Sequence, residues 1–329
     1  MLLFWVFIFI VSLAVLVKGS DWLLESAEKI GLALGLSPFV VGVVIVGVGT
    51  SFPELISSLM AVLKGATEIV AANAIGSNIA NILLVVGISA IVGKKLRVSK
   101  NLIDLDIPLL AISTMLFLGV AWDRVITLPE SAILITTYII HLLYTIGHKE
   151  EETVKKIEPM KVKSKTKYAN TVKAEIVTRP KITFKDYILL IVGLAGLIIG
   201  AKYLIDSVIK LSEILNIAAG VISLAAVAFG TSLPELLVSI KAAMRGKAEM
   251  ALGNIFGSNI FNILMVVGIP GLFSTLRIDE QTYVLAIPVL IATTFLFIVS
   301  GISKTIYIWE GAMYLIVYIF FMGKLFNFI

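Results

Sequence analysis

The chain of 329 residues is 59% hydrophobic and 15% charged, with a mean hydropathy of +1.03, a formal net charge of +5 and no cysteine. An ordinary soluble domain is about half apolar and about a quarter charged, so this composition excludes a soluble enzyme or nucleic-acid binder and reads as an integral membrane protein. The lack of cysteine removes disulfide frameworks and thiolate chemistry.

A membrane-spanning helix needs about 20 mainly apolar residues. In chain order the runs 2–18 (or on to 33), 38–63, 69–92, 102–122, 126–147, 184–212, 217–244, 249–273, 283–300 and 305–327 qualify, predicting an all-α fold of ten transmembrane helices. The runs are continuous rather than alternating, which argues against strands. The first starts at Met1 without a basic flank and offers no small-residue cleavage site over Ser12–Val17, so it reads as a retained helix.

Between the fifth and sixth runs lies the one long polar stretch, 148–183, carrying Lys149, Lys155, Lys156, Lys161, Lys163, Lys165, Lys167, Lys173, Arg179 and Lys181. Basic loops favour the cytoplasm. Lys94, Lys95, Arg97 and Lys100 lie two spans earlier and Arg245 and Lys247 two spans later, so they fall on the same side. Five spans precede the loop, which puts both termini outside. A solvated linker explains the stretch, since it has no apolar period to pack; a regulatory ion-binding role is the alternative.

The loop divides two copies of one pattern. "GVGTSFPELISSLMAVLKG" at 47–65 matches "AFGTSLPELLVSIKAAMRG" at 228–246, and "NAIGSNIANILLVVGI" at 73–88 matches "NIFGSNIFNILMVVGI" at 254–269, all at an offset of 181. Gly19 with Gly200 and Ser26 with Ser207 keep that offset, while "IPLL" at 107–110 and "IPVL" at 287–290 are one residue closer. Each copy holds an odd number of spans, so the second enters the membrane from the opposite side. The expected organisation is therefore a first five-helix repeat at 1–147 with its motif at 47–88, the basic loop at 148–183, and an inverted second repeat at 184–329 with its motif at 228–269. Secondary transporters recurrently use this plan, binding substrate near the midplane where the copies meet.

The motif itself combines a helix breaker with oxygen donors. Pro53 has no N–H and crowds the carbonyl four residues back, so carbonyls near Gly49 and Thr50 lose helical partners. Exposed to lipid they would be intolerable; beside a hard cation they are ligands, as are carboxylates and hydroxyls. Thr50, Ser51 and Glu54 thus read as half of an oxygen cage, and Thr231, Ser232 and Glu235 around Pro234 as the other half. Asn73, Ser77 and Asn81 project from one face of the third span, as do Asn254, Ser258 and Asn262 in the eighth. Gly76 and Gly257 predict close helix approach. Taken singly, a proline with hydroxyls is often only a re-satisfied kink and a membrane asparagine only interhelical glue. An intramembrane glutamate marks a functional site by default, and here the whole set occurs twice.

At these residues the chain resembles the sodium/calcium exchanger family of cation/calcium antiporters, across nearly everything except 148–183. The resemblance implies ten helices and four ion sites in a diamond, one central calcium site and flanking sodium sites used alternately. It implies that Glu54 and Glu235 are the central carboxylates, that Thr50 and Thr231 supply carbonyls, and that Ser51, Ser77, Ser232 and Ser258 supply hydroxyls. Gly47 and Ala228 would give carbonyls one turn earlier, and Asn81 and Asn262 would bound the cavity. Two positions depart from the pattern. Many prokaryotic members carry Asp where Asn262 stands, an acid linked to potassium use in the potassium-dependent branch, so its absence argues against a potassium requirement. Ala72 replaces the glycine seen at Gly253.

Two glutamates carry about two negative charges, which one calcium ion or sodium ions at separate sites would neutralise, whereas an empty cavity leaves them uncompensated in a low dielectric. An empty carrier should resist reorienting, as antiport requires. The expected function is sodium/calcium antiport by alternating access, with calcium and sodium as cargo, no cofactor, the bilayer as surroundings and a single chain as the working unit. A proton/calcium exchanger is the alternative, although its "GNxxE" signature is absent. A cation channel would use similar ligands, but proline-broken inverted repeats favour alternating access. Enzymatic activity is not expected: no nucleophile–base pair or histidine metal cluster occurs, and His141 and His148 sit at one end of the fifth span. Deleting much of 155–175 should leave transport intact in a folded protein, checked by calcium flux in proteoliposomes; lost flux would make the segment more than a linker.

Overall fold

The computed structural model describes residues 2–97, 107–155, 180–214, 232–326 and 328. Its helices are α1 (Leu2–Ala33), α2 (Pro38–Leu63), α3 (Glu68–Val92), α4 (Ile107–Val120), α5 (Leu128–Lys155), α6 (Phe184–Ile214), α7 (Leu233–Met244), α8 (Ala248–Gly271), α9 (Thr282–Ile302) and α10 (Ile308–Leu325). Among the described residues eight of them, all but α4 and α7, contain a stretch long and apolar enough to cross a membrane. The protein is a multi-pass membrane protein. Residues 102–106 and 217–231, which the hydropathy assigns to the fourth and seventh spans, lie outside the described residues, as does most of the 148–183 loop.

Local chemistry sets the helix ends. Ser37 accepts a hydrogen bond from the Val40 amide at 3.3 Å, with Pro38 in the first turn, so α2 starts with a side-chain cap and a preset φ. Gly65 and Gly246, one offset apart, follow α2 and α7 at φ +78° and +71°, a left-handed exit that favours glycine. At the start of α9, Asp279 accepts from the Thr282 amide and hydroxyl at 2.9 and 2.5 Å. Burial acts to raise the Asp279 carboxyl, but these hydrogen bonds outweigh it and hold it below the usual range.

The described apolar runs are helical, and four short strands lie between them or at their edges. β1 (Lys95–Arg97) pairs antiparallel with β4 (Thr305–Tyr307), and β2 (Val125–Ile126) pairs with β3 (Leu276–Arg277). Ladders of two or three residues are too short to show alternation, and β4 takes the first residues of the predicted last span. They also repeat. Leu96 faces Ile306 and Ile126 faces Leu276, so each ladder is made of the counterparts of the other.

The most enclosed of these spans are α8 and α3, with 89% and 78% of an 18-residue apolar stretch buried; the apolar stretches of α1 and α6 are the least enclosed, at 17% and 22%. The two peripheral helices pack closely on each other: a Cβ on Gly19 would lie 2.9 Å from the Gly193 carbonyl oxygen, and one on Gly193 2.7 Å from the Leu23 nitrogen. Ion pairs fasten α1 to its neighbours. Lys29 donates to both Asp186 oxygens of α6 at 2.9 and 2.8 Å. Asp21 meets Lys241 of α7 and Arg245 just after its end, and Glu28 meets Lys247. The remaining apolar surface of α1 and α6 suits lipid contact.

Candidate ion site

Both motif copies hold a non-helical serine at the same place. Ser51 has φ −87° and ψ 5°, Ser232 has φ −85° and ψ 5°, and a new helical segment follows each with Pro53 or Pro234 in its first turn. Glu54 and Glu235 therefore sit in the first turn of the resumed helix, where the N-terminal end of the dipole favours a carboxylate. Ahead of the break, Val41–Gly47 is wound as a π-helix; π turns also begin at Asn81 and at Asn262, one offset apart. Such turns frequently mark functional sites, and no residue type announced them.

The two copies converge in the interior. The Ser51 hydroxyl donates to Glu235 Oε1 at 3.1 Å, and Thr50 Oγ1 donates to Asn254 Oδ1 at 3.2 Å. The Gly47 carbonyl accepts the Ser258 hydroxyl at 3.2 Å. Glu54, Glu235, Thr50, Ser51, Ser258 and Asn262 are all inaccessible to solvent, and Ser77, Ser232 and Asn81 are nearly so. Ten of the twelve sequence-predicted site residues are thus buried or at this crossing; Thr231 and Ala228 lie outside the described residues.

Asn73 and Asn254 have a different place from the one their helix face suggested. Asn73 Nδ2 donates to the Glu54 carbonyl at 3.2 Å and Ser58 Oγ at 3.1 Å; Asn254 Nδ2 donates to the Glu235 carbonyl at 3.3 Å and Ser239 Oγ at 2.8 Å. They clamp the glutamate-bearing segments to the partner helix. Ser58 and Ser239 were readable from the shared offset but carry no signal of their own. Among the described residues Asn254 also receives Thr50, whose counterpart, Thr231, lies outside them. At about 1 kcal/mol per hydrogen bond, and more where a buried partner is stranded, Asn73→Ala and Asn254→Ala should each lower melting temperature and transport. Native stability and flux in either variant, read by thermal unfolding and calcium uptake, would deny that clamp.

Glycine permits the close approach at the centre. A Cβ on Gly257 would lie 2.4 Å from the Val43 carbonyl oxygen, and one on Gly253 2.3 Å from that of Phe39. On Gly47 it would stand 3.0 Å from the Asn254 carbonyl oxygen. For Gly76 the offset counterpart of Val43, residue 224, is outside the described residues, and the close approach expected there lies outside them too. The described residues hold no cluster of three or more acidic, histidine or cysteine side chains. The donor set is two carboxylates among hydroxyls, amides and carbonyls, the oxygen chemistry that hard cations take.

The family described as sodium/calcium exchanger protein matches residues 4–147 and 185–326. The chain belongs to the sodium/calcium exchanger protein family. It is 34% identical to the sodium/calcium exchanger MaX1 of Methanosarcina acetivorans over 97% of each chain, and 35% identical to an uncharacterised membrane protein of Methanocaldococcus jannaschii over 99% of each. A solved structure of the sodium-calcium exchanger NCX_Mj superposes with a TM-score of 0.79 at 31% identity, covering 99% of this chain and all of that one. The matched segments leave out the whole of the 148–183 stretch, with the two motif-bearing halves as the shared part.

Proposed function

We propose that the protein is a secondary antiporter exchanging sodium for calcium by alternating access. Its ten spans form two inverted five-helix repeats, 1–147 and 184–329, with the 148–183 loop cytoplasmic and both termini outside. The observation that carries this reading is the contact of Ser51 with Glu235: it joins the two motif copies in the interior, where both glutamates are inaccessible to solvent. Two buried carboxylates are costly unless a cation compensates them. One calcium ion matches their charge, and so do sodium ions at separate sites, so calcium and sodium compete for a single electrostatic requirement and the two are bound by turns.

In this reading Glu54 and Glu235 ligate calcium centrally. Thr50 and Thr231, with Gly47 and Ala228, present carbonyls; Ser51, Ser77, Ser232 and Ser258 present hydroxyls; Asn81 and Asn262 close the cavity. Both amide atoms of Asn262 are buried without a hydrogen-bond partner among the described residues, which suits a side chain facing cargo. Calcium and sodium are cargo rather than cofactors, and each chain holds both motif copies, so one chain suffices. Uptake of labelled calcium into proteoliposomes under imposed sodium, potassium or proton gradients tests the proposal. Uptake driven by sodium alone is expected; uptake driven by protons alone would make the protein a proton/calcium exchanger.

A further inference from the structure

Asn78 and Asn259 occupy one position of the two motif copies, 181 residues apart, and both are buried where α3 crosses α8. The clamps made by Asn73 and Asn254 are present in both halves. The bonds around Asn78 and Asn259 are present in one sense only. Asn78 Nδ2 donates to the Asn259 carbonyl at 2.9 Å, and Asn81 Nδ2 donates to Asn259 Oδ1 at 3.1 Å. Their mirror images would run from Asn259 Nδ2 to the Asn78 carbonyl and from Asn262 Nδ2 to Asn78 Oδ1. Neither is made: Asn259 Nδ2, Asn78 Oδ1 and both polar atoms of Asn262 have no hydrogen-bond partner among the described residues.

A buried amide left half-satisfied is expensive, and three of the unsatisfied atoms, Asn259 Nδ2, Asn78 Oδ1 and Asn262 Nδ2, are ones that the mirrored arrangement would use, while Asn81 Oδ1 and Asn262 Oδ1 are without a partner alike in the two copies. We propose that Asn78 and Asn259 form a two-position hydrogen-bond switch that positions the asparagines of the ion site in alternation. In the present conformation Asn259 holds Asn81. In the conformation open to the other side Asn78 holds Asn262. The proposal rests on the inverted-repeat, alternating-access reading, because inverted copies that exchange conformations also exchange their bonds. Asparagine suits both positions: Asn78 is a donor now and an acceptor after the switch, Asn259 the reverse, and its amide supplies both functions in one short side chain. The two conformations then keep equal numbers of bonds at the crossing, so neither becomes a trap.

Aspartate substitution separates the two roles, because an ionised carboxylate accepts but does not donate. Asn78→Asp removes a bond of the present conformation and keeps the acceptor needed by the other. Asn259→Asp keeps the acceptor for Asn81 and removes the donor needed by the other. Both add the same charge at counterpart positions, so their effect on ion affinity is common while their effect on orientation is opposite. The native chain has no cysteine, so single cysteines along α1 and α6 can be labelled with an impermeant maleimide from either side of oriented proteoliposomes at mildly alkaline pH. The ratio of labelling from the two sides should move by roughly five-fold per hydrogen bond, in opposite directions for the two variants. Shifts in one direction, or none, overturn the switch. Asn78→Leu and Asn259→Leu, close in shape and without polar atoms, each take one bond from both conformations and should slow exchange with the ratio unchanged; a several-fold shift in either also overturns it. Sodium-driven calcium uptake by the unsubstituted chain is measured in the same vesicles. Its absence overturns the exchanger reading and the switch with it, whereas uptake with same-direction shifts overturns the switch alone.

Discussion

Glu54→Gln and Glu235→Gln are each expected to abolish sodium-driven calcium uptake while the protein still inserts and purifies as a stable, monodisperse species. Both side chains are inaccessible to solvent and stand at counterpart positions in the first turn after a helix break. Glutamine has nearly the same shape, and at position 235 it can still accept the Ser51 hydroxyl through its amide oxygen. Removing a buried charge relieves desolvation, so thermal stability measured without added cations should hold or rise. Transport should respond in the opposite sense. One glutamate leaves a single negative charge facing a divalent cation, and since loss of even an outer-shell partner lowers metal affinity about 10–100-fold, loss of a ligand carboxylate should lower uptake by more than about 100-fold. Glu68→Gln, at an exposed position in the first turn of α3, is the control and should leave uptake unchanged. Retained uptake in either buried variant would remove that glutamate from the central site.

Much of this architecture was legible because lipid imposes strong constraints. Runs such as 38–63, 69–92 and 249–273 recur as α2, α3 and α8 within a residue or two, since a helix is the only segment that satisfies its own backbone in hydrocarbon. The offset of 181 located both glutamates, both serines at the helix breaks and, with hindsight, the clamping pairs Asn73–Ser58 and Asn254–Ser239. What stayed hidden depends on geometry that residue identity does not encode. The π turns at Val41–Gly47, Asn81–Val86 and Asn262–Val266 have no compositional mark. The ladders of β1 with β4 and β2 with β3 are too short for a period. Asn78 and Asn259 are the same residue in the same motif, so their unequal bonding belongs to the conformation and could not be read from either copy. The glycines were identified as close-approach positions, and the coordinates show how close: Gly257 is pressed against the backbone of Val43.

That contact at Gly257 sets the second large effect, because Gly257→Ala should disrupt both folding stability and exchange. A Cβ there would lie 2.4 Å from the Val43 carbonyl oxygen and 2.7 Å from the Val43 Cα. These are backbone atoms, which no rotamer change can move. Comfortable contacts between heavy atoms lie at about 3.5–4.0 Å, so α2 and α8 must separate by roughly 1 Å to admit one methyl group. Overpacking of this kind costs about 1–3 kcal/mol. The same separation stretches the neighbouring bond from Ser258 to the Gly47 carbonyl, already at 3.2 Å, and adds about 1 kcal/mol if that bond is lost. Gly47 and Ser258 belong to the proposed ligand set, so exchange should fall at least about tenfold, as a total loss of about 1.4 kcal/mol or more in cation binding implies. Gly119→Ala supplies the contrast: Gly119 is exposed on α4 with nothing within 4 Å of a Cβ among the described residues, and alanine is the better helix former. Its melting temperature should stay level or rise slightly, with native uptake. Native stability and uptake in Gly257→Ala would mean that α2 and α8 have slack at their crossing, and that backbone contact there does not hold the carbonyl of Gly47 in place.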